Sequence, residues 1–359
     1  MDFQPIEYME WAKLKSRAAV NLSRSGVADQ SLKGLGLSLE GLDINGPNPY
    51  GYAPLLEAIA ARYGAKPENV VPTTGASQGI FFACAALLDR GDRVLVEKPA
   101  YDPLLACPRA VGAEVLRIER RFENRYQIDS REFRTALSLK PKLVILTNTH
   151  NPTGAFLSRE RIVELASEAR SAGAMLFIDE IYLEFMPGEA ATSFGLAENI
   201  FVGSSLTKVF GLSGLRCGWL LAPASLAAKM RRLVDHLFVE PVFIGEQISA
   251  RAFPLLDSIK IRNAPLFERN LKMVGEFIET EKGLEWVEPA AGIVGFPRTT
   301  GALTGDALAG ILRERYDTSV VPGTFFEDAR HFRLGFGVAP EMLAAGLANI
   351  RSAFRLFSV

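Results

Sequence analysis

The sequence predicts an α/β protein with a mostly parallel sheet flanked by helices, followed by a smaller α+β domain. Three observations carry this reading. Between residues 70 and 222, short β-branched runs alternate with longer stretches of helical periodicity, the rhythm of repeated strand–helix–strand units. Those runs are apolar throughout, as for strands covered on both faces. From about residue 255 the rhythm gives way to long amphipathic helices separated by brief strands. The expected division is an N-terminal arm over 1–45 that belongs with the small domain, a large α/β domain over 46–255 and a small C-terminal domain over 256–359.

The arm reads as loop-rich. Val70-Val71-Pro72-Thr73-Thr74 is the first strand, and it leads into a helix over 76–88 that Arg90-Gly91 stops. Further strands follow at 93–97, 114–118, 143–147, 175–179, 200–203 and 217–221. Ser158 is placed to cap a helix over 159–172, in which Ile162, Val163, Leu165, Ala166 and Ala169 recur at helical spacing before Gly173 ends it. The small domain begins with an amphipathic helix over 266–281. Strands around 292–296 and 320–321 come next, and a helix over 341–356 closes the chain.

Composition narrows the partners. Forty Lys+Arg against 41 Asp+Glu give a formal net charge of -1 over 359 residues, so nothing attracts nucleic acid or an anionic membrane in bulk and any anion site must be local. Cys84, Cys107 and Cys217 form neither a C-x-x-C pair nor a disulfide framework, which fits a reducing cytoplasm. Met1-Asp2-Phe3-Gln4-Pro5 lacks the basic and apolar regions of a leader, and no apolar stretch is long enough to span a bilayer. The expectation is a cytoplasmic protein without membrane contact.

The chemistry-bearing groups fall after predicted strands, where open α/β sheets place ligands. Ser205-Leu206-Thr207-Lys208, with Arg216 eight residues on, offers an amine that can condense with an aldehyde beside a hydroxyl and a guanidinium that can hold a phosphate ester. Asn151-Pro152-Thr153-Gly154 follows the 143–147 strand. Asp179-Glu180-Ile181-Tyr182 ends the 175–179 strand. Thr74-Gly75-Ala76-Ser77-Gln78 joins a strand to a helix whose first N–H groups can receive a phosphate.

Other motifs carry less. His150 and His236 lack metal-ligand spacing and His331 reads as a surface residue, so no metal is assigned. Gly34-Leu35-Gly36 is a fragment of a dinucleotide fingerprint with no strand before it. Gly75-Ala76-Ser77-Gln78-Gly79 imitates a hydrolase nucleophile elbow, but that reading leaves Asp179, Tyr182, Lys208 and Arg216 unexplained.

Asn151-Pro152-Thr153-Gly154, Asp179-x-x-Tyr182, Ser205-x-x-Lys208 with Arg216, Gly75-Ala76-Ser77-Gln78 and Arg333-Leu334-Gly335-Phe336 occur in an order and spacing that resemble the class I/II aminotransferases, pyridoxal-phosphate enzymes of fold type I. The resemblance covers nearly the whole chain. It implies pyridoxal 5'-phosphate as cofactor, with Lys208 condensing with its aldehyde and later moving a proton as base and acid. It implies that Asp179 pairs with the pyridine nitrogen, that Asn151 and Tyr182 donate to the phenolic oxygen, and that Tyr101 stacks on the ring. Gly75, Ala76, Ser77, Ser205 and Arg216 would share the phosphate. Tyr50, with Tyr52 as rival, would reach the neighbour's phosphate across a homodimer interface. Arg333, rather than nearby Arg330, would bind the substrate carboxylate beside Asn151, and Gly26 in Asn21-Leu22-Ser23-x-Ser25-Gly26 would let the covering segment approach it. The implied activity moves the amino group of an α-amino acid to a 2-oxo acid by a ping-pong mechanism through pyridoxamine phosphate. The alternatives are a β-lyase, a decarboxylase or another amino-acid-modifying enzyme on the same fold, and a non-catalytic module that binds the cofactor as a ligand sensor. The amino acid itself is left open.

Overall fold

The computed structural model describes residues 3–188 and 191–356. Met1, Asp2 and residues 357–359, which the expected arm and small domain include, lie outside the described residues. Seven strands build the central sheet in the spatial order Val70–Thr73, Gly218–Leu221, Ile200–Ser205, Met175–Asp179, Leu143–Thr147, Arg93–Lys98, Glu114–Glu119. Six run in one direction. Gly218–Leu221 is antiparallel to both of its neighbours, because the chain returns from Ser205 through a loop with no crossover helix. The N-terminal end of that strand therefore lies at the same sheet edge as the C-terminal ends of the other six.

The apolar runs sort residue by residue onto two faces. Val144, Leu146, Leu176, Ile178 and Val202 join one core cluster, while Leu143, Ile145, Phe177, Phe201 and Leu220 join another. This is the period of two with both faces covered. The Ser158 hydroxyl accepts from Arg161 N–H at 3.2 Å and opens the helix Arg159–Ser171, and Gly173 follows it at φ 79°. Ile162, Leu165, Ala166 and Ala169 are buried there, whereas Val163, expected on the same face, is 41% exposed.

Two differences from the sequence reading have physical causes. The arm is less irregular than expected: Glu7–Leu14 is a helix, and Val20–Asn21 pairs in parallel with Thr318–Ser319. Leu22 and Val27 pack into the same cluster as Leu308, Phe332, Leu334 and Ile350. The long helix spans Leu256–Thr280 and passes through Pro265, where the sequence placed its start just beyond that proline. An interior proline costs about 3 kcal/mol, and burying Leu256 and Ile259 ahead of it returns roughly 3–6 kcal/mol. Val294–Gly295, Phe332–Gly335 and Val321–Pro322 form a three-stranded antiparallel sheet, and Pro340–Arg355 is the last described helix. Among the described residues no helix is long and apolar enough to cross a membrane.

Candidate active site

Strand register assembles the site. Thr147 pairs with Asp179 and Asp179 with Gly203, while Ser205 and Thr73 flank Gly218 from either side. One sheet edge thus carries Asp179, Ser205 and the loops that bear Asn151, Lys208, Arg216 and Gly75. The approach of the 73–76 turn to the 216–218 turn demands glycine at two positions. Gly75 has φ 91°, and a Cβ there would stand 2.4 Å from an Arg216 nitrogen; a Cβ on Gly218 would stand 2.7 Å from the Gly75 Cα. Arg216 donates to the Thr74 carbonyl at 3.1 Å and to the Ser213 carbonyl at 3.3 Å, which fixes its fork over the N-terminus of the helix Ala76–Leu87. Ser205 Oγ lies 2.7 Å from Thr207 Oγ1.

Lys208 sits among cations. Burial first, then Arg333 and Arg216, lower its ammonium to about 8, while Asp179 opposes the shift. Its Nζ donates to Ser25 Oγ at 2.9 Å. Asp179 is 3% exposed, and one of its oxygens accepts from Ile181 N–H at 3.1 Å. Burial raises its carboxyl to about 7, with a further contribution from Glu97. Tyr182 is buried, and desolvation pushes its phenol up to about 12.

Arg333 is fully buried and reaches three acceptors: Asn151 Oδ1 at 3.1 Å, Tyr8 Oη at 2.7 Å and the Ser23 carbonyl at 3.1 Å. Its Nε–H has no hydrogen-bond partner among the described residues. A buried guanidinium with donors to spare is suited to an incoming carboxylate. Arg330, its rival in sequence, instead donates to backbone carbonyls of Thr299 and Gly301. Asn151 spends its carbonyl on Arg333, so its amide nitrogen is left to donate elsewhere. Tyr8 meets Tyr101 edge-on at 5.7 Å and packs against Trp11, Phe325 and Phe326, so an aromatic wall stands beside Arg333.

The remaining expected residues are placed unevenly. Tyr101 is half-buried, its hydroxyl donating to Met9 Sδ at 3.3 Å, and Ala76 begins the helix Ala76–Leu87. A Cβ on Gly26 would stand 3.6 Å from Lys208 Cδ, and the covering-segment group that meets Arg333 is the Ser23 carbonyl. Tyr50 is 41% exposed and donates to Asp235 of its own chain at 3.2 Å, whereas Tyr52 caps the helix Ala53–Arg62 and packs on Phe243. The surface reading of His331 is corrected: it is buried, stacked on Phe296 at 4.5 Å and 3.0 Å from the Tyr126 hydroxyl, because Phe296 and Phe122 close over it. His150 is buried and held neutral, by burial and then by Arg120. Tyr8 and Ser25 were assigned no role from the sequence. Tyr8, Met9, Trp11 and Ala12 do recur at helical spacing, with Glu7 and Glu10 in the first turn, and that signal could have raised the helix. Ser25 lies in a loop without period.

These residues suit pyridoxal phosphate on chemical grounds: a lysine of lowered basicity for an aldehyde, a buried carboxylate for a ring N–H, and a glycine-walled turn with a fixed guanidinium for a phosphate. Fold and site together define a pyridoxal-phosphate enzyme of fold type I. Residues 37–350 match the aminotransferase class I and II family, and the chain belongs to that family, whose members use pyridoxal phosphate. Capreomycidine synthase of Streptomyces vinaceus is 32% identical over 301 residues, covering 82% of this chain and 77% of its own. A pyridoxal-phosphate-dependent aminotransferase of Streptococcus suis superimposes with a TM-score of 0.94 at 25% identity, covering both chains completely. The pyridoxal-phosphate-dependent cyclase OrfR superimposes with a TM-score of 0.90 at 28% identity, covering 100% of this chain and 99% of that one.

Proposed function

We propose that this enzyme transfers the amino group of an α-amino acid to a 2-oxo acid in two half-reactions at one site, working as a homodimer. The observation that carries this reading is the pairing of a buried, weakly basic Lys208 with a buried Arg333 that has a donor to spare. When bound, the cofactor supplies an aldehyde that condenses with amines and a ring that withdraws electrons from the substrate α-carbon. The protein does the rest. Asp179 would pair with the ring nitrogen and favour its protonated form, the cation in turn favouring the ionised carboxylate. Asn151 and Tyr182 would donate to the phenolic oxygen, and Tyr101 would cover the ring. The N–H groups at Gly75, Ala76 and Ser77, with Ser205 and Arg216, hold the phosphate. Arg333 grips the substrate carboxylate beside Asn151 and so fixes which bond at the α-carbon is aligned for cleavage. Lys208 would take the substrate α-proton and return it, and a pKa near 8 keeps a usable fraction of its amine deprotonated at neutral pH.

The dimer reading rests on exposed apolar side chains at Ile44, Leu237, Val239, Val242 and Ile244, and on Tyr50, which bonds to Asp235 two residues before Leu237. A cleft of about 330 Å³ beside Arg216, lined by Thr74, Gly218, Phe238, Val242 and Ile244, is open to a partner's side chain. The exposure of Tyr50 supports it over Tyr52 as the residue that crosses.

The likeness to a synthase and to a cyclase supports a second reading, in which the same activated α-carbon expels a β-substituent and an internal nucleophile closes a ring. Borohydride reduction tests the shared premise. It is expected to fix the cofactor irreversibly to the peptide bearing Lys208 and to no peptide in Lys208→Ala; fixation at another lysine would defeat both readings.

A further inference from the structure

The segment 21–27 touches both ends of the reacting site. Its Ser23 carbonyl accepts from Arg333, its Ser25 hydroxyl accepts from Lys208, and Val27 N–H donates to the Lys208 carbonyl at 3.0 Å. It is also anchored. Asn21 pairs with Ser319, Gly335 N–H donates to the Leu22 carbonyl at 2.7 Å, and Asn21 Oδ1 accepts from both the N–H and the hydroxyl of Ser23. Ser25 is 8% exposed, so its hydroxyl does not exchange freely with solvent. Having accepted from Lys208, it keeps its own proton to give.

We propose that Ser25 is a positioning residue for Lys208: its hydroxyl takes the ε-amine whenever that amine is free of the cofactor and holds it on the anchored segment. This goes beyond the roles assigned above and rests on Lys208 being the condensing lysine. The physical need is plain. A released lysine has four rotatable bonds and is drawn electrostatically towards Asp179. An amine that wanders must be repositioned before each proton transfer, and orientation is a large part of the rate of such steps. A fixed hydroxyl on an anchored segment removes that search without adding charge. It also stabilises the ammonium by accepting from it.

The test reads Lys208 directly. In the full-length chain stripped of cofactor, Lys208 is labelled with limiting acetic anhydride across the pH range and quantified by mass spectrometry. In the holoenzyme, the single-turnover reaction with an amino acid is followed in parallel. Wild type is expected to label with a midpoint near about 8. Ser25→Ala is expected to lower that midpoint by about half to one pH unit, the effect of losing one hydrogen bond, and to slow the half-reaction roughly tenfold with KM little changed. Ser25→Thr, which keeps the hydroxyl, is expected to restore both. A wild-type midpoint and rate in Ser25→Ala, or a Ser25→Thr as impaired as the alanine variant, overturns the proposal. Failure of borohydride to fix the cofactor on Lys208 of the parent chain would instead count against Lys208 itself, so the two failures are distinguishable.

Discussion

Asp179 shows what single residues give up for this site. Its carboxyl is buried and held near 7 in the folded, cofactor-free chain, against about 3.8 when exposed. The folded state therefore retains a proton that the unfolded state has lost between those values, and stability falls as pH rises through that window. Asp179→Asn removes the penalty. The variant is expected to gain up to about 4 kcal/mol over the parent at pH 8 and little at pH 4, read as urea midpoints of cofactor-stripped protein, while holding the cofactor less tightly. An equal gain at both pH values would show that the charge is not the cause. The gathering of Lys208, Asp179 and Asn151 at one sheet edge was legible in the sequence because these side chains stand at or soon after the ends of apolar strands. Tyr8 and Ser25 were not, since their importance comes from contacts with Arg333 and Lys208, 325 and 183 residues away, which no local pattern encodes.

Among the elements, the Leu143–Thr147 strand ends over a buried ion pair. Glu97 accepts from the Thr147 N–H at 2.7 Å and from its hydroxyl at 2.5 Å, and Arg120 donates to Glu97 at 2.7 Å with both side chains fully buried. Thr147 in turn accepts from Asn151 N–H at 3.3 Å, so the pair underlies the loop that carries Asn151. Arg120→Met leaves Glu97 buried without its partner and is expected to cost about 3–5 kcal/mol, seen as a lowered urea midpoint; adding Glu97→Gln should recover much of it. No recovery in the double variant would show that arginine packing, not charge, is what matters. Strand positions were readable because their apolar runs are short and bounded by turn residues. The antiparallel course of Gly218–Leu221 was not, because direction is set by the loop from Ser205 and leaves no mark on the strand's composition. The helix through Pro265 escaped for a related reason: burial on both sides outweighs a local breaker.

For the whole molecule, the arm, the small-domain sheet and the large sheet meet at Lys208 and Arg333, and the proposed dimer adds Tyr50. Tyr50→Phe is expected to weaken cofactor binding by roughly tenfold, the effect of one hydrogen bond to a charged phosphate, without changing the oligomeric state seen by sedimentation; an unchanged affinity would remove Tyr50 from the site. The broad architecture was open to sequence reading because strand–helix alternation is periodic, whereas the interlock of arm and small domain depends on a two-residue strand too short to announce itself. The central claim is amino-group transfer, and a single-turnover experiment reaches it most directly. Holoenzyme mixed with its amino acid and no acceptor should release one equivalent of 2-oxo acid per chain, retain the nitrogen, and resume only when a 2-oxo acid is added. Continuous release of ammonia, or a cyclised product with no 2-oxo acid, would contradict the account.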